Sequence, residues 1–129
     1  MVPSLSSSNA QLRVFCLEDN PLIVFHLEHM IEDLGHIFAG SLTSFADLRA
    51  KASDYVMDCA LVDIDLTDGA TGPAAMSWLV SRGIPCAFVT GQETAAARHL
   101  DLATGVVVKP ISEDSLAAVL TLFQRAAPD

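Results

Sequence analysis

Several short segments of this chain are apolar at every position, and longer amphipathic segments separate them. The runs at residues 59–62 (Cys-Ala-Leu-Val) and 106–108 (Val-Val-Val) are too short for helices and read as strands. A strand that is apolar on both faces is covered on both, as in a parallel sheet between two layers of helices. This pattern predicts an α/β fold.

Strand-like and helix-like segments alternate five times along the chain. The start of a helix favours Asn, Ser or Pro, and such residues stand at Asn20-Pro21, Ser44, Pro73 and Ser112. The fourth helix, at residues 92–100, is Ala-rich and weak. The sequence therefore predicts a (βα)5 doubly wound, parallel five-stranded sheet, with strands at residues 11–17, 37–41, 59–63, 84–90 and 106–108.

The 129 residues suit one domain, which we place at residues 11–126. Residues 1–10 have neither a basic start nor an apolar stretch, so we interpret them as a flexible leader and not as a signal peptide. No segment approaches the roughly 20 apolar residues that a membrane helix needs. We therefore expect no membrane partner.

Charge and cysteine content restrict the function further. The chain has 16 acidic and 7 basic residues, a net charge of −9, which argues against a nucleic-acid partner because phosphate contacts need clustered Lys and Arg. Cys16, Cys59 and Cys86 fall in or beside strand-like runs and lack the spacing of metal ligands. We expect reduced core thiols and a cytoplasmic location.

Polar side chains follow four of the five predicted strands. The first strand ends in Glu18-Asp19, the third in Asp63 with Asp65 beyond it, the fourth in Thr90 and the fifth in Lys109. In open α/β sheets, ligands bind at the carboxyl ends of the strands. Each residue alone has a simple structural explanation, such as a helix cap or a turn. Their convergence on one edge predicts a functional site.

The chemistry of this set suits phosphoryl transfer. Clustered carboxylates repel one another unless a hard cation binds, and Mg²⁺ takes one or two carboxylates plus phosphate oxygens. A carboxylate can also accept a phosphoryl group covalently. Lys109 adds a positive charge and Thr90 a hydroxyl donor, and phosphoryl transfer depends mostly on positioning and charge neutralisation. We therefore predict a phosphoacceptor that requires Mg²⁺.

The sequence resembles the receiver domains of two-component response regulators, over residues 11–126. The resemblance rests on four motifs, which together are specific: Cys-Leu-Glu18-Asp19-Asn-Pro, Ala-Leu-Val-Asp63-Ile-Asp65-Leu, Phe-Val-Thr90-Gly91 and Val-Val-Val-Lys109-Pro110. It implies a flavodoxin-like fold with strand order 2-1-3-4-5. It also implies autocatalytic transfer from the phosphohistidine of a histidine kinase or phosphotransfer protein, followed by self-dephosphorylation and not by enzymatic turnover.

The resemblance also implies a role for each residue of the site. Asp63 matches the phosphorylated aspartate, Asp19 a direct Mg²⁺ ligand and Glu18 a residue that acts on Mg²⁺ mainly through water. Asp65 matches the position that binds Mg²⁺ through its main-chain carbonyl. Thr90 matches the switch hydroxyl, Lys109 contacts the phosphoryl group, and a cis peptide bond is expected at Lys109-Pro110.

Three departures from the family pattern affect the expected output. Thr67 stands where the family usually has Pro, Val106 replaces an aromatic residue that rotates on activation, and the stretch between Thr90 and Lys109 is short. Phe88-Val-Thr90-Gly91 is similar to the motif of an atypical single-domain subgroup that carries Phe-Ala-Thr-Gly. We interpret the chain as a single-domain, chemotaxis-regulator-like receiver without a DNA-binding output domain, which signals by contact with an unknown protein.

Other function classes remain open from the sequence. A phosphatase of the haloacid dehalogenase type would use Asp63 and Asp65, with Thr67 completing an Asp-x-Asp-x-Thr signature, but it would place its metal-binding acids after the Lys. A nucleotide or flavin carrier needs a glycine-rich or hydroxyl-rich loop after the first strand, where this chain has Glu18-Asp19. A degenerate receiver would only bind protein partners.

The first predicted helix carries more apolar residues than one buried stripe needs. Phe25 falls outside that stripe, so we predict either an exposed docking surface for the phosphodonor or a ring tucked under the last helix. His26 and His29 lie three residues apart and could bind a metal, but we interpret them as two surface histidines.

Overall fold

The computed structural model describes residues 10–126, so the predicted leader over residues 1–10 lies outside the described residues except for Ala10. Within them, five parallel strands form one sheet in the order β2-β1-β3-β4-β5, which confirms the predicted fold. The strands are β1 (Arg13–Leu17), β2 (Ile37–Leu42), β3 (Cys59–Val62), β4 (Cys86–Thr90) and β5 (Gly105–Val108).

A helix follows each strand. The helices are α1 (Pro21–Asp33), α2 (Phe45–Lys51), α3 (Gly72–Ser81), α4 (Glu93–Ala97) and α5 (Glu113–Ala126), with a single 3-10 turn over Ala52–Asp54 after α2. The fourth helix spans five residues, fewer than the nine predicted, because its Ala side chains offer little apolar surface, and of its three Ala residues only Ala96 is buried.

The predicted caps form at three of the helices. The Asn20 side chain accepts a hydrogen bond from the Leu22 N–H at 3.0 Å, and the Ser44 hydroxyl accepts one from the Asp47 N–H at 3.0 Å. The Ser112 hydroxyl accepts one from the Ser115 N–H at 3.1 Å. Each cap satisfies an amide that the first turn of a helix leaves unpaired.

Each face of the sheet has its own apolar core, because successive strand side chains point to opposite faces. Val14 and Cys16 of β1 pack with α1 and α5, whereas Phe15 and Leu17 pack with α2, α3 and α4. The three cysteines are free and buried in these cores, as predicted, and burial raises the pKa of each thiol. Among residues 10–126, no helix has the length and apolarity to cross a membrane.

His36, which directly precedes β2, makes a pH-dependent contact with the residue that directly precedes β1. Its Nδ1 accepts a hydrogen bond from the Leu12 N–H at 3.0 Å, and burial lowers the pKa of His36 below its ordinary value. As pH falls through the ordinary value of about 6.5, the unfolded chain takes up a proton before the folded chain does. The stability from His36 is therefore complete above that pH and is lost as pH falls through the lowered pKa.

We expect the His36 contribution to the free energy of unfolding to fall between about pH 7.5 and about pH 5.5, by an amount on the order of the 0.5–1.5 kcal/mol of one hydrogen bond. His36→Asn, whose amide oxygen can accept the same bond but does not titrate, should remove this part of the slope. Urea unfolding without metal at both pH values measures it. His26→Asn, at an exposed histidine, is the control, and an equal slope in wild type and His36→Asn would contradict the assignment.

Candidate functional site

Three carboxylates meet at the carboxyl edge of the sheet. Glu18 and Asp19 directly follow β1, and Asp63 directly follows β3, the strand that pairs with β1. One oxygen from each lies within 4.8 Å of the others. Glu18 and Asp63 are buried, and Asp19 is exposed. The predicted convergence of acids is therefore present, with one of the three open to solvent.

Lys109 joins this cluster from the end of β5. Its Nζ donates a hydrogen bond to Asp63 Oδ2 at 2.9 Å and forms an ion pair with Glu18 Oε1, also at 2.9 Å. Burial lowers the pKa of Lys109, but its contacts with the two carboxylates outweigh that effect and raise the pKa. The Lys109-Pro110 peptide bond is cis, as predicted. Lys109 thus holds a fixed positive charge against both buried acids.

The Asp63 carboxylate is held at both of its oxygens. Oδ1 accepts a hydrogen bond from the Ile64 N–H at 2.7 Å, while Oδ2 faces Lys109. The Asp63 N–H donates to the Leu17 carbonyl at 2.9 Å, which continues the pairing of β3 with β1. Backbone and ammonium contacts together fix the orientation of this side chain.

Glu18 is the buried acid of the cluster that has an oxygen without a hydrogen bond. Burial raises its pKa to about 7, although the contacts with Lys109 and with the Asn20 N–H act in the opposite direction. Its Oε1 is the buried side-chain atom without an aligned hydrogen bond among residues 10–126, even with Lys109 Nζ at 2.9 Å. Such an oxygen, beside two further carboxylates, fits the oxygen ligands that Mg²⁺ prefers.

Thr90 and Gln92 form the next part of the edge. Thr90 ends β4 and is buried, its hydroxyl accepts a hydrogen bond from the Gln92 N–H at 3.0 Å, and its carbonyl accepts one from the Lys109 N–H. The Gln92 side-chain amide contacts Asp65 Oδ2. The Asp65 side chain is exposed and turned towards Gln92, and it is not one of the three clustered carboxylates. Sequence analysis did not identify Gln92 as part of the site. Its only signal in the sequence is a polar side chain two positions after Thr90.

Thr67 does not take part in the carboxylate cluster. Its hydroxyl and its N–H both donate to the Thr43 carbonyl, at 3.1 and 3.0 Å. Thr67, the third residue of the Asp-x-Asp-x-Thr signature, therefore makes a contact between two loops. No group of three potential metal ligands among the described residues contains His26 or His29.

Comparison with known proteins agrees with this geometry. The family model described as response regulator receiver domain matches residues 14–121. The Phyllosphere-induced regulator PhyR of Methylorubrum extorquens is 28% identical over 120 residues, which cover 88% of this chain. The match covers 45% of PhyR, so the chain spans about half the length of this relative.

Two solved structures of PhyR proteins are similar to this fold. The receiver domain of the PhyR response regulator from Erythrobacter litoralis superposes with a TM-score of 0.79 and 26% identity, covering 92% of this chain and 95% of that one. The anti-anti-sigma factor PhyR from Bartonella quintana gives a TM-score of 0.79 and 27% identity, covering 95% of this chain and 51% of that one. With the family model matched over residues 14–121, the chain belongs to the family of response regulator receiver domains.

Proposed function

We propose that this receiver domain accepts a phosphoryl group on Asp63 from the phosphohistidine of a histidine kinase or phosphotransfer protein, in the presence of Mg²⁺. The observation that carries the proposal is the position of Lys109 Nζ, 2.9 Å from both Asp63 and Glu18, inside a cluster of three carboxylates. One positive charge does not balance three acids. The remaining negative charge favours a divalent cation beside the acceptor.

Glu18, Asp19 and Asp63 would hold Mg²⁺, with the main-chain carbonyl of Asp65 as a further ligand that the family resemblance suggests. Bound Mg²⁺ would supply charge neutralisation for the phosphoryl oxygens. Lys109 supplies a second positive charge beside the acceptor, and Thr90 supplies a hydroxyl that the Gln92 N–H orients. These groups position the reactants and offset charge, which is most of what phosphoryl transfer needs.

In the proposed transfer, an Asp63 carboxylate oxygen attacks phosphorus and the phosphorus–nitrogen bond to the donor histidine breaks. The bonding electron pair returns to the imidazole nitrogen, which takes a proton. The product is an acyl phosphate on Asp63. Water attack on its phosphorus later releases inorganic phosphate and regenerates the carboxylate, so the domain catalyses its own phosphorylation and dephosphorylation.

We propose that the signal leaves through contact with another protein, in the cytoplasm. The strongly acidic chain, with a net charge of −9, disfavours nucleic acid as the direct target. The anti-anti-sigma factor PhyR, which contains a similar domain, suggests a regulatory protein as the target class. A haloacid dehalogenase-like phosphatase is disfavoured by the position of Thr67 and by the family match.

The test of the proposed function is labelling by a small phosphodonor such as acetyl phosphate, followed by intact-mass measurement. We expect one phosphoryl group per chain with Mg²⁺ present, its loss in base, and no labelling in excess chelator. Absence of labelling both from the small donor and from phosphorylated histidine kinases would contradict the proposal and favour a degenerate receiver that only binds partners.

The outer side of α1 is the surface that we propose for the phosphodonor protein. Phe25 is 62% exposed and Leu22 is 76% exposed, so the alternative that Phe25 packs under the last helix is wrong. The Phe25 ring contacts only one aromatic neighbour, His29, edge-on at 4.4 Å between centroids, within the described residues. Helix α1 begins three residues after Glu18, so a protein bound here lies close to Asp63.

Phe25→Ala should slow phosphoryl transfer from the cognate kinase by about 30-fold, the equivalent of the ~2 kcal/mol that marks an interface hot spot. Labelling by acetyl phosphate should stay at the wild-type rate, because Phe25 does not contact the carboxylate cluster. Stability should change by no more than about 0.5 kcal/mol, as for most surface substitutions. Rapid-quench transfer kinetics and urea unfolding measure the two effects.

Val56→Ala is the matched control, because Val56 is also exposed, at 64%, but lies before β3, near the amino ends of the strands and away from the carboxylate cluster. It should leave transfer from the kinase unchanged. If Phe25→Ala transfers as fast as wild type, Phe25 is not part of the docking surface.

A further inference from the structure

The loop between Asp63 and α3, residues 64–71, is closed on itself. The Leu66 N–H donates to the Gly69 carbonyl at 2.8 Å and the Gly69 N–H donates to the Leu66 carbonyl at 3.0 Å. The Gly72 N–H donates back to the Ile64 carbonyl at 2.9 Å. We call residues 64–71 the acceptor loop. The N–H of its first residue, Ile64, donates the hydrogen bond to Asp63 Oδ1, so the position of the loop directly affects the orientation of the Asp63 carboxylate.

Asp68 attaches the acceptor loop to the first turn of α2. Its Oδ1 and Oδ2 accept hydrogen bonds from the Phe45 N–H at 3.3 Å and the Ala46 N–H at 3.1 Å. Oδ1 also accepts one from the Thr71 hydroxyl at 2.7 Å, the main cause of the lowered pKa of Asp68. A carboxylate is favoured there because the first turn of a helix leaves amides unpaired.

Thr67 makes a second attachment beside the first. Its N–H and hydroxyl both donate to the Thr43 carbonyl, in the segment between β2 and α2. A proline at this position has no N–H and would lose the backbone bond. The departure from the family pattern at Thr67 thus coincides with a contact that only a residue with an N–H can make.

We propose that Asp68 is a positioning residue for phosphoryl transfer, which fixes the acceptor loop against α2 and thereby fixes the Ile64 amide against Asp63. This rests on the proposed function, in which Asp63 is the acceptor. Asp68 does not touch the carboxylate cluster and acts through the loop. Small displacements of reacting groups are costly, since a shift of about 1 Å can reduce a rate by 100-fold.

The alternative is that Asp68 has a purely structural role as a helix cap. Substitution of Ser44 distinguishes this role from the proposed positioning role. The Ser44 hydroxyl caps the same turn of α2 through the Asp47 N–H at 3.0 Å, but it lies on the helix side and has no hydrogen bond to residues 64–71 among the side-chain contacts of the described residues. Ser44→Ala and Asp68→Ala therefore both weaken the start of α2. Only Asp68→Ala releases the acceptor loop.

The experiment compares full-length wild type, Ser44→Ala, Asp68→Ala and Asp68→Asn. Labelling by acetyl phosphate is followed as a function of donor and Mg²⁺ concentration, at a temperature where urea unfolding shows each protein to be folded. Hydrogen exchange is read in parallel at the amides of Leu66, Thr67 and Gly69. We expect Asp68→Ala to label about tenfold more slowly at saturating donor. Asp68→Asn, which keeps one acceptor oxygen, should be intermediate, and Ser44→Ala should match wild type.

Exchange at the three loop amides should accelerate in Asp68→Ala and not in Ser44→Ala. Equal labelling rates in Asp68→Ala and Ser44→Ala would overturn the proposal and leave Asp68 a helix cap. Unchanged exchange at the loop amides in Asp68→Ala would also overturn it, even if no variant is labelled. Failure of the wild type to label at all would instead count against Asp63 as the acceptor, so the two failures are distinguishable.

Discussion

Asp63→Asn will abolish phosphoryl transfer to this domain, from acetyl phosphate and from the cognate kinase alike. The neutral amide oxygen of Asn is a far weaker nucleophile than a carboxylate, and Asn cannot form the acyl phosphate that we propose. The substitution keeps the size of the side chain but leaves one acceptor oxygen, so either the Ile64 N–H or the Lys109 ammonium loses its hydrogen bond to residue 63. Intact-mass measurement after incubation with Mg²⁺ and donor should show no added phosphoryl group.

Asp65→Asn is the matched control for this result. Asp65 lies two residues beyond Asp63, but its carboxylate is exposed and contacts the Gln92 side chain. Its substitution should leave one phosphoryl group per chain, with a changed rate at most. If Asp63→Asn labels as well as wild type while Asp65→Asn does not, Asp65 is the acceptor and the assignment of Asp63 fails.

The parallel direction of the strands could be predicted from local sequence, whereas their order in the sheet was implied by the family resemblance. Runs such as Cys59 to Val62 are apolar at every position and are buried on both faces of the sheet. Once the strands are parallel, their carboxyl ends share one edge. This arrangement brings together the residues that follow β1, β3 and β5, which are Glu18, Asp19, Asp63 and Lys109. The cluster was therefore predictable without coordinates.

Contacts between loops were not predictable in the same way. Asp68 reaches amides 22 and 23 residues away, and the Gln92 side chain reaches Asp65 across 27 residues. Neither contact leaves a periodic signal, because loops have no repeating geometry. The weak fourth helix is a different case, since its Ala residues favour a helix locally but bury too little surface to extend it to nine residues.

Gly72→Ala should both destabilise the domain and impair phosphoryl transfer. Gly72 is the first residue of α3, and helix propensity alone predicts that Ala would be favoured there by about 1 kcal/mol. The structure predicts the opposite sign. A Cβ at Gly72 would lie 2.0 Å from the Asp63 carbonyl oxygen and 2.6 Å from the Ile64 Cα, and these are backbone atoms that no rotamer change can move aside.

Accommodating that Cβ requires α3 and the Asp63 backbone to separate. We expect a loss of stability of at least the ~1–3 kcal/mol typical of overpacked cores. The shift falls on the residue that carries the acceptor, so labelling by acetyl phosphate should also slow, by as much as about 100-fold for a displacement near 1 Å. Urea unfolding and labelling kinetics at a temperature where the variant is folded separate the two effects.

Gly91→Ala is the control with the same chemical change at the same edge of the sheet. Gly91 directly follows Thr90, its φ is not in the left-handed region, and a Cβ there would meet nothing within 4 Å. It should leave stability and labelling close to wild type. If Gly72→Ala is as stable and as rapidly labelled as Gly91→Ala, the close approach of α3 to Asp63 is not needed to position the acceptor. A loss confined to Gly72→Ala would show that phosphoryl transfer depends on how tightly the first turn of α3 packs behind the Asp63 backbone.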